Sequence, residues 1–464
     1  METLISITPT LLSTLLFLHP SIPALLVGLF LLIGRLAFGQ STKDSTSTKI
    51  EDTTEIALEK RAIKVSLLSN YYEQDGNRSA INGGLGSQQL NSYAEDVNIY
   101  FPIKDSSAIK VGGGVDYYTS ASLQQIDKGG TGKSVSGDET RAYFNLGSDL
   151  GFKKGLVLSP SVGFSTEYDV SSGNFGLSLL KPIKKWNANY SSSFSMIVDR
   201  WMMVFPGEFR PLSTDASTSA STNANSSYAI PYTYHGSVLR KDGQLYPIDW
   251  RQSYAFINNY SFAINKKMNA ALGVDLLMQT GLLSSPFNRV YFNDGIGDED
   301  QKEVRVENLP RERQKLSLSA RYNWFVLPYV VVRTQARYYN DSWGIKATTL
   351  AVETPIKINK ELSFTPFYRY HIQQGSTYYR AYGQHVYKPG SYYTSDMDLG
   401  TFTAHKFGAA LRYVPFKHAA VKNATKNQMI TLKDISVRYA RYVRQDNLQA
   451  DIATLEIIFE IHNR

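Results

Sequence analysis

The feature that most constrains this chain is an alternation of apolar and polar residues with a period of two. It recurs from residue 61 onward in segments of about ten residues, and no helical period of 3.6 is sustained. In one such segment Leu272, Val274 and Leu276 share one face, whereas Gly273 and Asp275 share the other. Strands with one oily face and one wet face have this pattern, so the chain is predicted to be all-β.

Sixteen such segments can be counted, which is an even number, as in single-chain bacterial outer-membrane barrels. They begin near residues 62, 93, 108, 140, 155, 174, 186, 251, 267, 313, 328, 344, 361, 403, 429 and 449. The links between them mostly alternate between short and long, and the long outer ones are 73–91, 120–137, 204–248, 283–311 and 376–399. The exceptions are short outer links near residues 171 and 341 and a long inner turn, 415–426. Such barrels pair short periplasmic turns with long outer loops. The prediction is one transmembrane antiparallel up-and-down β-barrel of sixteen strands, within a range of about 14 to 18, with both termini periplasmic.

A soluble β-sandwich or propeller is the alternative fold, because its strands also alternate. The polar faces here carry Gly, Ser, Asn and charges in too many strands for one dry core, and no blade repeat is evident. The 31 Tyr residues suit the two aromatic belts of a membrane barrel. Closure of the strands into a ring would also pair every backbone group that faces lipid, and this favours the barrel.

The N-terminal segment predicts export. Residues 1–39 read as a signal peptide, whose apolar stretch ends in the small-residue site Ala37-Phe38-Gly39. An uncleaved anchor helix is the alternative, but Pro20 and Pro23 divide the run into pieces shorter than the roughly 20 residues that span a bilayer. Residues 40–60 are polar and rich in Ser and Thr, and are predicted to form a periplasmic arm. The barrel would then occupy residues 61–464.

Several kinds of chemistry find no support in the sequence. The chain has no Cys, so disulfides and thiolate catalysis are excluded, and its seven His form no close pair. The net charge of +8 comes without a basic run, which argues against nucleic-acid binding. The acidic link 293–300 is expected to be a solvated loop tip, with a calcium site as the alternative. We expect no cofactor, no metal and no enzymatic activity, although distant barrel residues could still assemble a catalytic site.

Projecting the alternation inward gives the barrel a lumen with two charged walls. The acidic wall, on the first nine strands, consists of Asp116, Asp149, Glu167, Asp199 and Asp275. The basic wall, on strands ten to fourteen, consists of Arg321, Arg333, Arg337, Arg369, Lys406 and Arg412. Opposed walls around water create a transverse field that filters polar solutes, which would indicate a pore. The same charges could instead pair across a filled lumen, and the sequence leaves both possibilities open.

Several stretches together resemble the outer-membrane barrel family catalogued as domain of unknown function 3570. They are residues 71–76 with 83–86, 116–122, 167–169, 281–292, 337–345, 393–396 and 402–405. The resemblance covers the chain from about residue 60 to its end. It implies a barrel in the outer membrane of a Gram-negative bacterium and transfers no catalytic residues. It also implies, more loosely, a neighbouring small lipoprotein or redox protein.

The leading functional hypothesis is a non-enzymatic outer-membrane barrel that passes or binds a small polar or charged solute. The alternative is a closed barrel that scaffolds a lipoprotein or redox partner in the cell envelope. Outer-membrane lipid and the barrel-assembly machinery are the other expected partners, and no nucleic acid is expected.

Overall fold

A computed structural model describes residues 62–104, 106–120, 138–206, 209, 234–239, 245–293, 303–415, 420–423 and 428–463. The predicted signal peptide and the periplasmic arm lie outside the described residues. So do residues 294–300 of the acidic link. Within the described ranges, no helix is both long enough and apolar enough to cross a bilayer.

Sixteen long strands form the fold, which confirms the predicted class and strand number. The first eight are β1 (Ile63–Asp75), β2 (Leu90–Lys104), β3 (Ser107–Ser120), β4 (Asp138–Gly151), β5 (Val157–Thr166), β6 (Val170–Ile183), β7 (Ala188–Met202) and β8 (Leu245–Asn265). The others are β9 (Met268–Gly281), β10 (Glu312–Leu327), β11 (Val330–Asp341), β12 (Lys346–Glu353, continuing in Ile356–Lys357), β13 (Leu362–Gln374), β14 (Phe402–Tyr413), β15 (Gln428–Arg444) and β16 (Gln449–Asn463). The largest error in a predicted start is at β8, which begins at Leu245 and not near residue 251.

The strands close into a ring in which each pairs with its sequence neighbours. β1 pairs antiparallel with β2 on one side and with β16 on the other, where Ile63 lies opposite Ile461. The chain of pairings is antiparallel throughout. A ring of this kind leaves no open sheet edge, so the backbone of each long strand is paired on both sides.

The two ends of the barrel differ as the link lengths predict. At the turn end, β2 and β3 are joined by residues 105–106, and β8 and β9 by residues 266–267. Single-turn 3-10 helices, Lys153–Gly155 and Lys184–Trp186, occupy two other turns at this end. The link between β14 and β15 is longer, and its described part includes a short strand, Ala420–Asn423.

The loop end carries the long links, of which three matter below. Residues 76–89 follow β1 and contain the 3-10 helix Ala80–Asn82. Residues 282–311 follow β9 and contain a small hairpin of Arg289–Tyr291 and Val304–Val306. Residues 375–401 follow β13 and contain the 3-10 helix Met397–Leu399. In addition, a short strand, Ser237–Leu239, pairs with the beginning of β8.

The apolar face of the strands is exposed. Leu272 is 55% exposed, Phe164 is 55% exposed and Leu350 is 51% exposed, although each lies within a regular strand. In a soluble sandwich these side chains would be packed against a second sheet and buried. The closed ring and its oily exterior therefore exclude the sandwich alternative.

Candidate functional site

The polar face of the strands lies on the concave side of the sheet. Arg337 of β11 lies 3.6 Å from Asp275 of β9, and it donates to Ser317 on the intervening strand β10 at 2.7 Å. Arg438 of β15 lies 3.6 Å from Glu353 of β12, so this contact passes over two strands. Side chains of non-adjacent strands converge only on the inside of a curved sheet. The charged face therefore lines the lumen.

Each residue of the predicted acidic wall has a basic partner. Asp149 is paired with Lys110 at 2.7 Å. Arg141 lies between Asp116, at 3.8 Å, and Glu167, at 3.5 Å. The two remaining acids are paired as Asp199 with Arg251 at 2.7 Å and Asp275 with Arg337 at 3.6 Å. Sequence reasoning missed Lys110, Arg141 and Arg251, because partners on neighbouring strands depend on the register of pairing.

The predicted basic wall is only partly compensated. Three of its six members are paired: Arg337 with Asp275 at 3.6 Å, Arg412 with Asp434 at 2.5 Å and Arg333 with Glu353 at 3.0 Å. The other three members, Arg321, Arg369 and Lys406, form no ion pair with any described residue. The structure therefore leaves positive charge uncompensated on β10, β13 and β14.

Exposure of the inner side chains changes along the barrel axis. On β11, the side chain of Arg333 near the turn end is 54% exposed, that of Arg337 is 45% exposed, and that of Asp341 at the loop end is fully buried. The side chains of Arg412, at the turn end of β14, and Arg444, at the loop end of β15, are 59% and 4% exposed. These inner side chains are therefore more exposed toward the turn end than toward the loop end, whereas Asp434 and Glu460, also near the turn end, are buried.

The loop end is filled by a cap, which we define as the described parts of residues 76–89, 282–311 and 375–401. Arg289 donates from Nη1 to the carbonyl oxygen of Ile81 at 2.9 Å, and Gly83 lies against the ring of Tyr291. These contacts join the loop after β1 to the loop after β9. The two loops are eight strands apart in a ring of sixteen, so they start from opposite sides of the barrel. The cap therefore spans the mouth.

The cap has its own core. Val290, Phe292 and Tyr393 are at most 2% exposed, and the rings of Phe292 and Tyr393 meet edge to face at 4.9 Å. The backbones of Asn308 and Tyr393 exchange two hydrogen bonds, at 2.7 and 3.1 Å, which tie the second loop to the third. The stretches that carry the family resemblance at residues 83–86, 281–292 and 393–396 meet here.

A buried carboxylate, Glu307, lies within the cap. It accepts hydrogen bonds from the Ser285 backbone N–H at 2.6 Å, the Thr394 hydroxyl at 2.5 Å and the Asn288 amide at 3.3 Å. Burial raises the pKa of Glu307, although these donors act against that rise. The pKa of the nearby Asp396 is also raised, first by burial and then by the charges of Asp398 and Glu307.

An acidic cluster lies at the rim, on the side of the predicted acidic wall. The carboxylates of Glu139, Glu167 and Asp169 have oxygens within 4.8 Å of one another. The Tyr118 hydroxyl donates to Glu139 at 2.7 Å and to Glu167 at 3.2 Å. Burial, followed by the charges of Glu139 and Glu167, raises the pKa of Asp169 to about 7. Oxygen donors of this kind are the ligands that hard cations such as calcium use.

One pair on the inner face has part of the geometry of a nucleophile and its base. The Thr349 hydroxyl lies 2.8 Å from Nδ1 of His371. A catalytic triad also requires an acidic group that orients the imidazole. No carboxylate among the described residues contacts this imidazole, so the triad is incomplete.

Several solved structures resemble this chain at low identity. A bacterial polysaccharide outer membrane secretin is 9% identical, with 87% of this chain and 99% of that chain covered and a TM-score of 0.40. A deletion variant of the TodX monoaromatic hydrocarbon channel is 10% identical, with 87% and 89% covered and a TM-score of 0.32. The ferric enterobactin receptor PfeA from Pseudomonas aeruginosa is 8% identical, with 82% and 53% covered and a TM-score of 0.39.

No curated protein matches the chain. The family described as "Protein of unknown function (DUF3570)" matches residues 119–422, which is more than half of the sequence. The matched region runs from the end of β3 to the link after β14, and it includes two of the three cap loops. The chain therefore belongs to the DUF3570 family, as the resemblance in its loop and strand motifs indicates.

Proposed function

We propose that this protein is a non-enzymatic barrel of the bacterial outer membrane that provides a water-filled chamber for a small polar or charged solute. The observation that carries the proposal is the exposure of its inner charges. Side chains such as Arg333 and Arg412 are more than half exposed, although they lie inside a closed ring. Charges that merely filled a dry lumen would be buried and paired. Barrels of sixteen strands are wide enough to enclose an aqueous channel.

The cap gives this chamber one restricted end. With the short turns on the periplasmic side, as is usual for such barrels, the chamber opens toward the periplasm and the cap faces outward. Passage of a solute would then require the cap to move. We infer a channel whose conductance is limited by its outer loops.

Planar-bilayer recording of the purified full chain tests this function. We expect ion conductance that rises when contacts within the cap are weakened. The chain has no natural Cys, so single cysteines at Asp275→Cys and Arg333→Cys would report access to the chamber. The absence of conductance, together with resistance of both cysteines to small thiol reagents, would overturn the channel.

The cap also favours a second candidate, a closed barrel that scaffolds a lipoprotein or redox partner. Its loops form a packed surface with its own core, as a docking platform requires. Native purification should then yield a stoichiometric partner that is lost when the exposed part of the cap or residues 40–60 are removed. A chain that purifies alone and conducts ions would contradict this candidate.

A further inference from the structure

We propose that the inner wall around Arg369 and Lys406 is a binding site for an oxyanion, meaning a small solute that carries a carboxylate or phosphate group. The inference rests on the proposed function and adds the class of solute. Its core is a row of three facing side chains on consecutive strands: Arg369 of β13, Lys406 of β14 and Tyr442 of β15. Two steps between strands span about 10 Å, which suits a small anion.

The row places two like charges side by side. Arg369 and Lys406 are direct partners in the register, where side chains lie about 5 Å apart at Cβ. Arg438 adds a third positive charge that acts on Lys406. Like charges directly opposite each other destabilise a sheet, and a bound anion would remove that repulsion.

The nearby acids are already engaged. Glu353 is shared by Arg333, at 3.0 Å, and Arg438, at 3.6 Å, so one carboxylate serves two guanidinium groups. Neither Arg369 nor Lys406 forms an ion pair with a described residue. Among the described residues, the wall around Arg369 and Lys406 therefore retains net positive charge.

The surroundings also favour a ligand over a packed wall. Arg438 lies with its guanidinium carbon 3.8 Å from the centre of the Phe367 ring, which holds that cation in place. Ala351, the partner of Arg369 on β12, has a small side chain, whereas the ring of Phe367 lies over Gly408 on the other side of the row. The side chain of Arg369 is exposed to the lumen. A guanidinium fork beside an ammonium group is suited to carboxylate and phosphate oxygens.

Inorganic phosphate is the probe for this site. In planar bilayers with the full chain, phosphate should lower the chloride conductance in a saturable way, and it should bind the protein in detergent micelles. Arg369→Gln and Lys406→Gln should each raise the half-saturating phosphate concentration about tenfold, because each removes a charge-assisted contact. The matched control is Lys110→Gln, which removes one positive charge from a paired position on β3 and should shift that concentration less than about twofold.

The outcomes separate the site from the channel. The binding site would be refuted, but not the channel, by either of two results. One is a conductance that phosphate does not change, and the other is a Lys110→Gln variant that shifts the half-saturating phosphate concentration as much as Arg369→Gln does. If the protein binds phosphate in micelles, Arg369→Gln weakens that binding, and no conductance is seen, the site is supported and the channel is refuted. The absence of both would overturn both. Heat-modifiable migration on gels shows that each variant retains a folded barrel.

Discussion

Replacing Gly83 by Ala should loosen the cap. Gly83 has a φ of +76°, a left-handed conformation in which a side chain is strained. A Cβ atom at this position would lie 2.4 Å from Cδ2 and 2.7 Å from Cε2 of Tyr291, far inside contact distance. The ring of Tyr291 would have to leave its place against Tyr382, where the ring centres are 4.7 Å apart. The substitution thus acts on the contact that crosses the mouth.

The size of the effect follows from two contributions. A left-handed non-glycine residue costs about 1–2 kcal/mol. Loss of an aromatic pair such as Tyr291 and Tyr382 costs about 0.5–1.5 kcal/mol more. Gly390→Ala is the matched control, because Gly390 has a φ of +77° but nothing within 4 Å of its added Cβ. Gly390→Ala should show the backbone cost alone. The free energies by which the two variants destabilise the cap should therefore differ by about 1 kcal/mol, which is roughly a fivefold difference in the population of the displaced cap.

Single-channel recording measures this population as the fraction of time in the most conductive state. We expect that fraction to rise about tenfold or more in Gly83→Ala, and to rise about fivefold less than that in Gly390→Ala. Equal effects from the two variants would refute the role of the contact across the mouth. A lower fraction in Gly83→Ala than in the unaltered protein would refute the cap as an obstruction.

Three further predictions concern buried charges. Asp341→Ala should lower the free energy of unfolding, measured in urea, by about 3–5 kcal/mol, because it leaves the nearly buried Arg313 without the carboxylate that binds it at 2.6 Å. Asp149→Ala should cost less than about 1 kcal/mol, because the Lys110 side chain that it leaves unpaired is 49% exposed to solvent. Burial raises the pKa of Glu307 above its unfolded value. Protection of the cap from protease should therefore be greatest in acid and fall as the pH rises through that raised pKa, and Glu307→Gln should weaken this dependence on pH. The pKa of Asp169 is raised from its ordinary value of 3.8 to about 7. The contribution of this residue to thermal stability should therefore be complete below pH 3.8 and be lost as the pH approaches 7, and Asp169→Asn should remove this dependence on pH.

The fold could be predicted from the sequence because its main signal is local. Side chains in a strand alternate between two faces by covalent geometry alone, so Leu272 and Asp275 could be assigned to opposite faces without knowledge of any partner strand. The link lengths then predicted the two ends of the barrel, and the need to pair every backbone group that faces lipid predicted closure. The confirmed starts of β1, at Ile63, and β16, at Gln449, follow from these signals.

The charge balance of the lumen could be predicted only in part. The sequence indicates which charges face inward, but ion pairs such as Arg141 with Glu167 depend on the register between neighbouring strands. A shift of one residue in that register would place the partner on the other face. The sequence therefore predicted two charged walls, whereas only the register shows which charges are compensated and that Arg369 and Lys406 are not.

The assembly of the cap was the feature that the sequence could predict least. Arg289 and Ile81 are 208 positions apart, and no local pattern links them. They meet because closure of the ring brings opposite loops over one mouth, where aromatic and small residues can bury each other. The sequence by itself determined the strands and their two faces, since these follow from backbone geometry. Ring closure decided which loops meet and which charges stay free, since both require residues distant in the chain to become neighbours.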